Sequence, residues 1–249
     1  MNPGEAGRGR RADIALVEQG FFASRAKARE AIEAGLVTLD SRPVTKPSEP
    51  VAEGAKLEAT APYPWVSRGG VKLAAALDAF GIDVKGKSAL DIGASTGGFS
   101  HVLLSRGAAH VTCVDVGHGQ LHPLIAGDER VSSLEKRDAR ALTSDDLPGR
   151  PVIIACDVSF ISLTLILPKI LPLAAQRAEA ALLVKPQFEV GPELAKKGIV
   201  RDDAARKAAC EKIAALVKQL GWEVIGLIDS PIQGGDGNRE YLLGARHIC

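Results

Sequence analysis

Cysteine is scarce and scattered in this chain. Cys113, Cys156, Cys210 and Cys249 form no C-x-x-C pair, and two of them sit inside apolar, strand-like runs. That pattern excludes a disulfide framework and a cysteine zinc site, and it suits reduced thiols. Long apolar runs are missing too. The longest, residues 160–175, is interrupted by Pro168, Lys169 and Pro172, so no bilayer-spanning helix is expected. Residues 1–11 hold no apolar stretch of the kind a secretion signal needs. A soluble, cytoplasmic protein is the expectation. Net charge is only +1, so any nucleic-acid surface must come from local clustering. There is no G-x-G-x-x-G, which argues against a nicotinamide dehydrogenase. His118 and His122 stand four residues apart without an H-E-x-x-H pattern or an evident third ligand, so no metal is expected.

The chain has 249 residues, 46% hydrophobic and 24% charged, which is enough for one large domain or one medium and one small. Residues 1–10 are rich in Gly and Arg and read as a disordered tail. Ile14, Val17 and Phe21 recur at helical spacing over residues 13–22. Ser24 is a candidate N-cap for a second helix running to Ala34, with Gly35 as its stop. That helix carries Arg25, Lys27 and Arg29, beside the acids Glu30 and Glu33. Residues 36–39 read as a strand, Asp40-Ser41 as a turn, residues 42–45 as the partner strand, and residues 56–59 as a further strand. Residues 61–66 form a proline-stiffened linker, with Trp65 either an anchor or plain core.

From residue 67 the pattern changes. Short apolar runs at 89–92, 110–114, 131–134, 152–156, 181–184, 224–228 and 241–243 alternate with helical patterns, among them 71–80, 161–170 and 204–220. Such alternation predicts a doubly wound α/β sheet. Its focus is L-D-I-G-A-S-T-G-G-F-S, residues 90–100, a strand running into a glycine-rich turn and then a helix. Gly93, Gly97 and Gly98 let the backbone approach a ligand, Ser95 lies between them, and Asp91 offers a carboxylate. The spacing D-x-G-x-x-x-G-G is the form seen in S-adenosylmethionine sites. Asp115 ends the second strand, where a ribose is held in cofactor-binding sheets. Asp138 follows the third strand, where an adenine amino group is often met. C-D-V-S-F places Asp157 at the end of the fourth strand, and L-V-K-P-Q-F-E places Lys185 at the carboxyl edge of the fifth. A half-buried lysine there is costly unless paired or functional. Lys72 follows S-R-G-G-V, next to Arg68, and Glu240 opens the last strand in G-N-R-E-Y-L-L.

Two resemblances follow from these strings. S-R-A-K-A-R-E-A-I-E-A-G-L-V-T-L-D-S-R-P-V resembles the S4 RNA-binding domain, in which helix cations meet RNA phosphates. Lys72, Asp157, Lys185 and Glu240 resemble the K-D-K-E tetrad of FtsJ-like ribose 2′-O-methyltransferases. From about residue 12 onward the whole chain resembles the TlyA, or hemolysin A, family of ribosomal RNA methyltransferases. The resemblance implies an S4 domain over residues 11–60, of small α+β type, and a Rossmann-like class I methyltransferase sheet over residues 67–249. It implies S-adenosyl-L-methionine as cofactor, with Asp91, Gly93, Ser95, Gly97, Gly98, Asp115, Asp138 and Asp157 around it. Lys72, Asp157, Lys185 and Glu240 become the catalytic set, and Arg25, Lys27, Arg29 and Arg68 the RNA contacts. The expected substrate is a cytidine ribose of large-subunit rRNA, with small-subunit rRNA a second possibility and no membrane or stable protein partner. Lys185 is the expected general base. It can serve only as a free amine, a form favoured by burial and by the like charge of Lys72 and opposed by Asp157 and Glu240. The rivals are a membrane-active hemolysin and a non-catalytic RNA-binding factor of the same fold.

Overall fold

The computed structural model describes residues 9–234 and 237–247 of two compact units, Met1–Pro64 and Trp65–Cys249. In the first unit, strand β1 (Arg10–Arg11) leads into helix α1 (Ala12–Glu18), and α2 (Arg25–Glu33) follows. The Ser24 hydroxyl caps α2 by accepting from the Lys27 amide at 3.4 Å. The chain leaves α2 through Gly35, whose φ of +72° favours glycine. Strands β2 (Val37–Leu39) and β3 (Arg42–Pro43) are joined across Asp40 and Ser41, both at positive φ, as a tight hairpin turn demands. Strand β4 (Pro50–Val51) pairs with β1, and β5 (Leu57–Ala59) completes a three-stranded sheet in the order β3-β2-β5. Leu16, Ile32, Val37, Leu39 and Leu57 fill the core between helices and sheet. The tail expected over residues 1–10 needs one correction. Arg10 is strand-paired with Val51. A two-residue strand is too short for any periodicity to announce it. Residues 1–8 lie outside the described residues.

The second unit is a seven-stranded sheet. Its strands are β6 (Ser88–Ile92), β7 (His110–Val114), β8 (Val131–Leu134), β9 (Ile153–Cys156), β10 (Glu179–Val184), β11 (Trp222–Asp229) and β12 (Tyr241–His247). Their order is β11-β12-β10-β9-β6-β7-β8, with β12 pairing antiparallel to both β11 and β10 and the remaining pairs parallel. The order reverses between β6 and β9, where the chain leaves in opposite directions and opens a crevice at the strands' carboxyl ends.

Helices cover both faces: α3 (Gly69–Phe80) and α4 (Gly98–Ser105) on one, α6 (Leu163–Ile170) and α8 (Asp203–Gln219) on the other. Strand alternation sorts the core. Leu90, Ile92, Ile154, Leu182 and Val184 face α6 and α8, while Ala89, Val111, Ile153, Ala155 and Leu183 face α3 and α4. Each fully buried Leu or Ile contributes about 1.5–3 kcal/mol, so the two layers fix the sheet edge on which the site is built. Trp65 lies against α3, where a Cβ on Gly70 would come within 2.6 Å of its ring. Two short helices, α5 (Pro123–Ala126) and α7 (Pro186–Glu189), escaped the sequence pattern because a single turn shows no period.

Candidate active site

The glycine turn forms the floor of the crevice. A Cβ on Gly93, at φ +80°, would lie 2.2 Å from the Asp157 carbonyl oxygen, so only glycine lets the ends of β6 and β9 come this close. Gly97, at φ +88°, is the N-cap of α4, and a Cβ on Gly98 would collide with the Ser67 hydroxyl. Asp115, at the end of β7, holds the turn in shape. One of its oxygens accepts from the Ser95 amide at 2.8 Å and the other from the Gly117 amide at 2.7 Å. A carboxylate has about four lone-pair sites, so Asp115 keeps capacity for ligand hydroxyls.

Next to this turn lies a cavity of about 510 Å³, lined by Gly93, Ser95, Asp115, Asp138, Asp157 and, on its apolar side, Ile92, Val114 and Ile161. Its size suits a nucleoside-sized group. The Asp138 carboxylate is gripped by the Arg140 side chain at 2.6 Å and the Arg140 amide at 2.8 Å, which holds it below the usual carboxylate range. A second recess of about 240 Å³ shares Gly93, Ser95 and Asp157 with the first and adds Arg68, Lys72 and Gly98.

Two amine–carboxylate pairs stand here. Lys72 Nζ of α3 meets Glu240 Oε2 at 2.5 Å, across 168 residues of sequence. Their side chains are only 7% and 2% exposed. A Cβ on Gly234 would overlap Glu240 Oε1, so glycine is needed where the loop passes over this pair. Lys185 Nζ meets Asp157 Oδ1 at 2.5 Å and donates to Ser159 Oγ at 2.8 Å. The sequence reading did not single out Ser159. It sits in the C-D-V-S-F string, but a serine in a loop carries no charge or periodic signal. Phe160 was missed for the same reason. It lines the larger cavity with 91% of its surface exposed, at a φ of +64°, its ring centroid 5.3 Å from that of Phe188. A bulky residue in left-handed backbone is costly, which marks the position as built rather than incidental.

Asp91 is placed differently from the sequence expectation. Strand alternation turns it under α4, fully buried, where it accepts from Ser100 Oγ at 2.6 Å and lines neither recess. Its Oδ1 has no hydrogen-bond partner, and burial raises its pKa to about 7, with Ser100 opposing and the charges of Asp157 and Asp115 adding. The histidines take structural roles. His118 Nδ1 lies 2.7 Å from Glu135, and His122 caps α5 by accepting from the Leu124 amide. No cluster of three or more potential metal ligands occurs among the described residues.

In the N-terminal unit the three helix cations differ. The Arg25 guanidinium donates to Asp13, which is fully buried and also holds Arg11 at 2.9 Å. Lys27 Nζ lies 5.6 Å from the centre of the Tyr63 ring, and the Tyr63 hydroxyl donates to Glu30. Arg29 is exposed, with no carboxylate in ion-pair range among the described residues. A charge reversal at Arg25 would therefore place two carboxylates together and disturb the fold; Arg29 is the cleaner probe of RNA contact.

Residues 65–247 match the FtsJ-like methyltransferase family, and residues 10–57 match the S4 domain. The chain is 44% identical to the 16S/23S rRNA (cytidine-2′-O)-methyltransferase TlyA of Mycobacterium tuberculosis, over 95% of this chain and 89% of that protein. It is 38% identical to hemolysin A of Brachyspira hyodysenteriae, over 93% of this chain and 98% of that one. A solved structure described as a hemolysin from Streptococcus thermophilus superposes with a TM-score of 0.77 at 39% identity, covering 98% of this chain and 90% of that chain. No helix among the described residues is long and apolar enough to cross a membrane.

Proposed function

The chain belongs to the FtsJ-like methyltransferase family, in the TlyA branch that carries an S4 domain ahead of the methyltransferase unit, and from this we propose that it methylates the 2′-hydroxyl of a cytidine ribose in ribosomal RNA. What supports this reading most is the pair of lysines, each tethered to a carboxylate, at the switch point of the sheet: Asp157, the partner of Lys185, lines both the nucleoside-sized cavity and the smaller recess, and Lys72 lines the smaller recess. Asp115, Asp138 and the glycine turn would hold S-adenosyl-L-methionine, which would supply an electrophilic methyl group when bound.

The residues of the chain do the rest. A ribose hydroxyl is a poor nucleophile near neutral pH, so its proton must leave as it attacks. Lys185 is the base. A free amine has two N–H donors and one lone pair. Ser159 accepts one of the N–H bonds and Asp157 stands within ion-pair distance of the amine, an arrangement that turns the lone pair toward the substrate hydroxyl. Lys72 and Glu240 neutralise each other in a nearly dry setting, and Lys72 walls the smaller recess. Phe160 offers an aromatic face at the cavity mouth on which a nucleobase turned out of its helix can stack. The S4 domain supplies RNA affinity through Arg29, with Arg25 and Lys27 beside it, and Arg68 adds a charge at the recess. Cytoplasmic ribosomes are the expected place of action. The test is transfer of tritiated methyl from the cofactor to purified ribosomal subunits, followed by mapping of the modified ribose. Label on a ribose 2′-oxygen is expected; label on a base, or none, overturns the proposal.

A further inference from the structure

The segment between α7 and α8 plays no part in the site described above, yet it is built with care. Within six residues it presents Lys196, Lys197 and Arg201, all exposed. Elsewhere in the unit Arg106, Arg130, Arg137, Arg140 and Arg246 are each held by a carboxylate. These three have none within ion-pair distance among the described residues. They line an open groove of about 500 Å³ together with Leu194, whose side chain is 42% exposed. Two acids share the groove. Asp202 is engaged as the N-cap of α8, accepting from the Ala204 amide at 2.8 Å, and Glu193 folds back over Gly191. Both acids are exposed and keep their charge, so the three cations leave the groove a small net positive charge.

The backbone of this segment is pinned. Asn238 is 3% exposed; its Nδ2 donates to the Gly198 carbonyl at 2.8 Å, and its Oδ1 accepts from the Val200 amide at 3.2 Å. Arg206 Nη1 donates to the Val200 carbonyl at 2.7 Å. Asn238 lies two residues before Glu240, so the chain between the clamp and the active-site carboxylate spans at most about 7 Å. A buried asparagine spending both ends of its amide on one surface loop fixes three cations relative to the reacting centre. A solvated charge run needs no such anchor.

We propose that residues 193–202 form an RNA-docking surface on the methyltransferase unit, taking the phosphodiester backbone of the strand that flanks the modified nucleotide. The inference rests on the rRNA-methylation reading above and adds a contact that holds the flanking strand in register with Glu240 and Lys72. Three unpaired cations suit a polyanion because phosphate contact releases condensed counterions, and no competing intramolecular pair must first be broken.

The experiment compares the full chain with the triple variant Lys196→Ala, Lys197→Ala, Arg201→Ala. A control triple, Lys85→Ala, Lys169→Ala, Lys218→Ala, removes the same charge at other exposed positions. Binding to a large-subunit rRNA transcript is measured across a salt series without cofactor, and methyl transfer is measured separately. The expected result is an affinity loss of about tenfold or more at low salt, with the salt slope smaller by about 2–3, for the loop variant only. Its KM for RNA rises while its cofactor affinity stays that of the wild type. Equal slopes for the loop and control variants overturn the proposal while leaving the methylation reading intact. A loop-dependent slope in a wild-type protein that never transfers methyl sinks the methylation reading and keeps the RNA surface.

Discussion

The two amine–carboxylate pairs of the candidate site share one chemistry and differ in setting. Lys72 and Glu240 are both nearly buried, with the carboxylate away from either recess and Lys72 at the wall of the smaller one, and the amine has no other hydrogen-bonding side chain among the described residues. Lys185 keeps a second acceptor, Ser159, and its carboxylate Asp157 is 20% exposed and lines both recesses. A closed pair neutralises charge and holds two elements together. An open pair presents an amine to whatever enters. On the function proposed above the first does scaffold work and the second proton transfer, and that division can be broken experimentally.

The largest effect is expected at the open pair. Lys185→Ala should lower methyl transfer by about 10²–10⁴-fold, the usual contribution of a general base, while cofactor affinity stays close to wild type. Single-turnover transfer and equilibrium cofactor binding, measured on one preparation, check this. Loss of binding with transfer retained would reverse the assignment.

At the closed pair the first casualty should be stability. Lys72→Ala strands a buried carboxylate and should cost about 3–5 kcal/mol in chemical unfolding. Replacing both partners, Lys72→Met with Glu240→Leu, should recover most of that stability, because an apolar pair needs no desolvated charge. If the double variant is also fully active, the closed pair is scaffold alone. If it folds and stays inactive, Lys72 contributes its charge to the reaction as well.

How far these roles were legible in the sequence depends on the kind of signal. The strands of the seven-stranded sheet showed because most are short apolar runs, the two-residue strands β1 and β4 did not because two residues carry no period, and the crevice showed because glycines cluster after β6. Which lysine meets which acid did not show, since Lys72 and Glu240 join across the whole unit and no local pattern encodes that. Ser159 and Phe160 were inside a quoted motif but carry no periodicity. Asp91 is the instructive case. The alternation that buries Leu90 and Ile92 on one face puts Asp91 on the other, under α4, and the same period that identified the strand contained this answer.

Asp91 therefore supplies a third carboxylate against which to sharpen the comparison. Its pKa is raised to about 7 in the folded chain, from 3.8. Between those values the folded form keeps a proton that the unfolded form has lost, so this group makes stability fall as pH climbs from about 4 to about 7, then level off. Asp91→Asn removes the titration and still accepts from Ser100. The variant should exceed wild type in unfolding free energy by an amount that grows between pH 5 and pH 8, reaching the order of a few kcal/mol. Cofactor affinity should barely move, since Asp91 lines neither recess. A gain that is the same at both pH values would show that Asp91 is not protonated in the folded chain, and a large loss of cofactor affinity would restore it as a ligand contact.

The smallest effect tests why the open pair needs Ser159. If the serine only fills space, Ser159→Ala is close to silent. If it takes one of the two N–H donors of the neutral amine, its loss lets Lys185 rotate about its carboxylate, and the lone pair is no longer held toward the substrate. A hydrogen bond between neutral groups is worth about 0.5–1.5 kcal/mol, which corresponds to about a 2–10-fold fall in the rate of the chemical step. The loss should appear in kcat and leave KM for RNA and cofactor in place, because Ser159 acts on the base and not on binding. Ser159→Thr, which keeps the hydroxyl, should recover most of the rate, and the pH dependence of kcat should shift in the alanine variant but not in the threonine one. A structural role would move stability in both variants and leave the pH profile alone, so the profile, more than the rate, decides whether the second acceptor is what separates the working pair from the closed one.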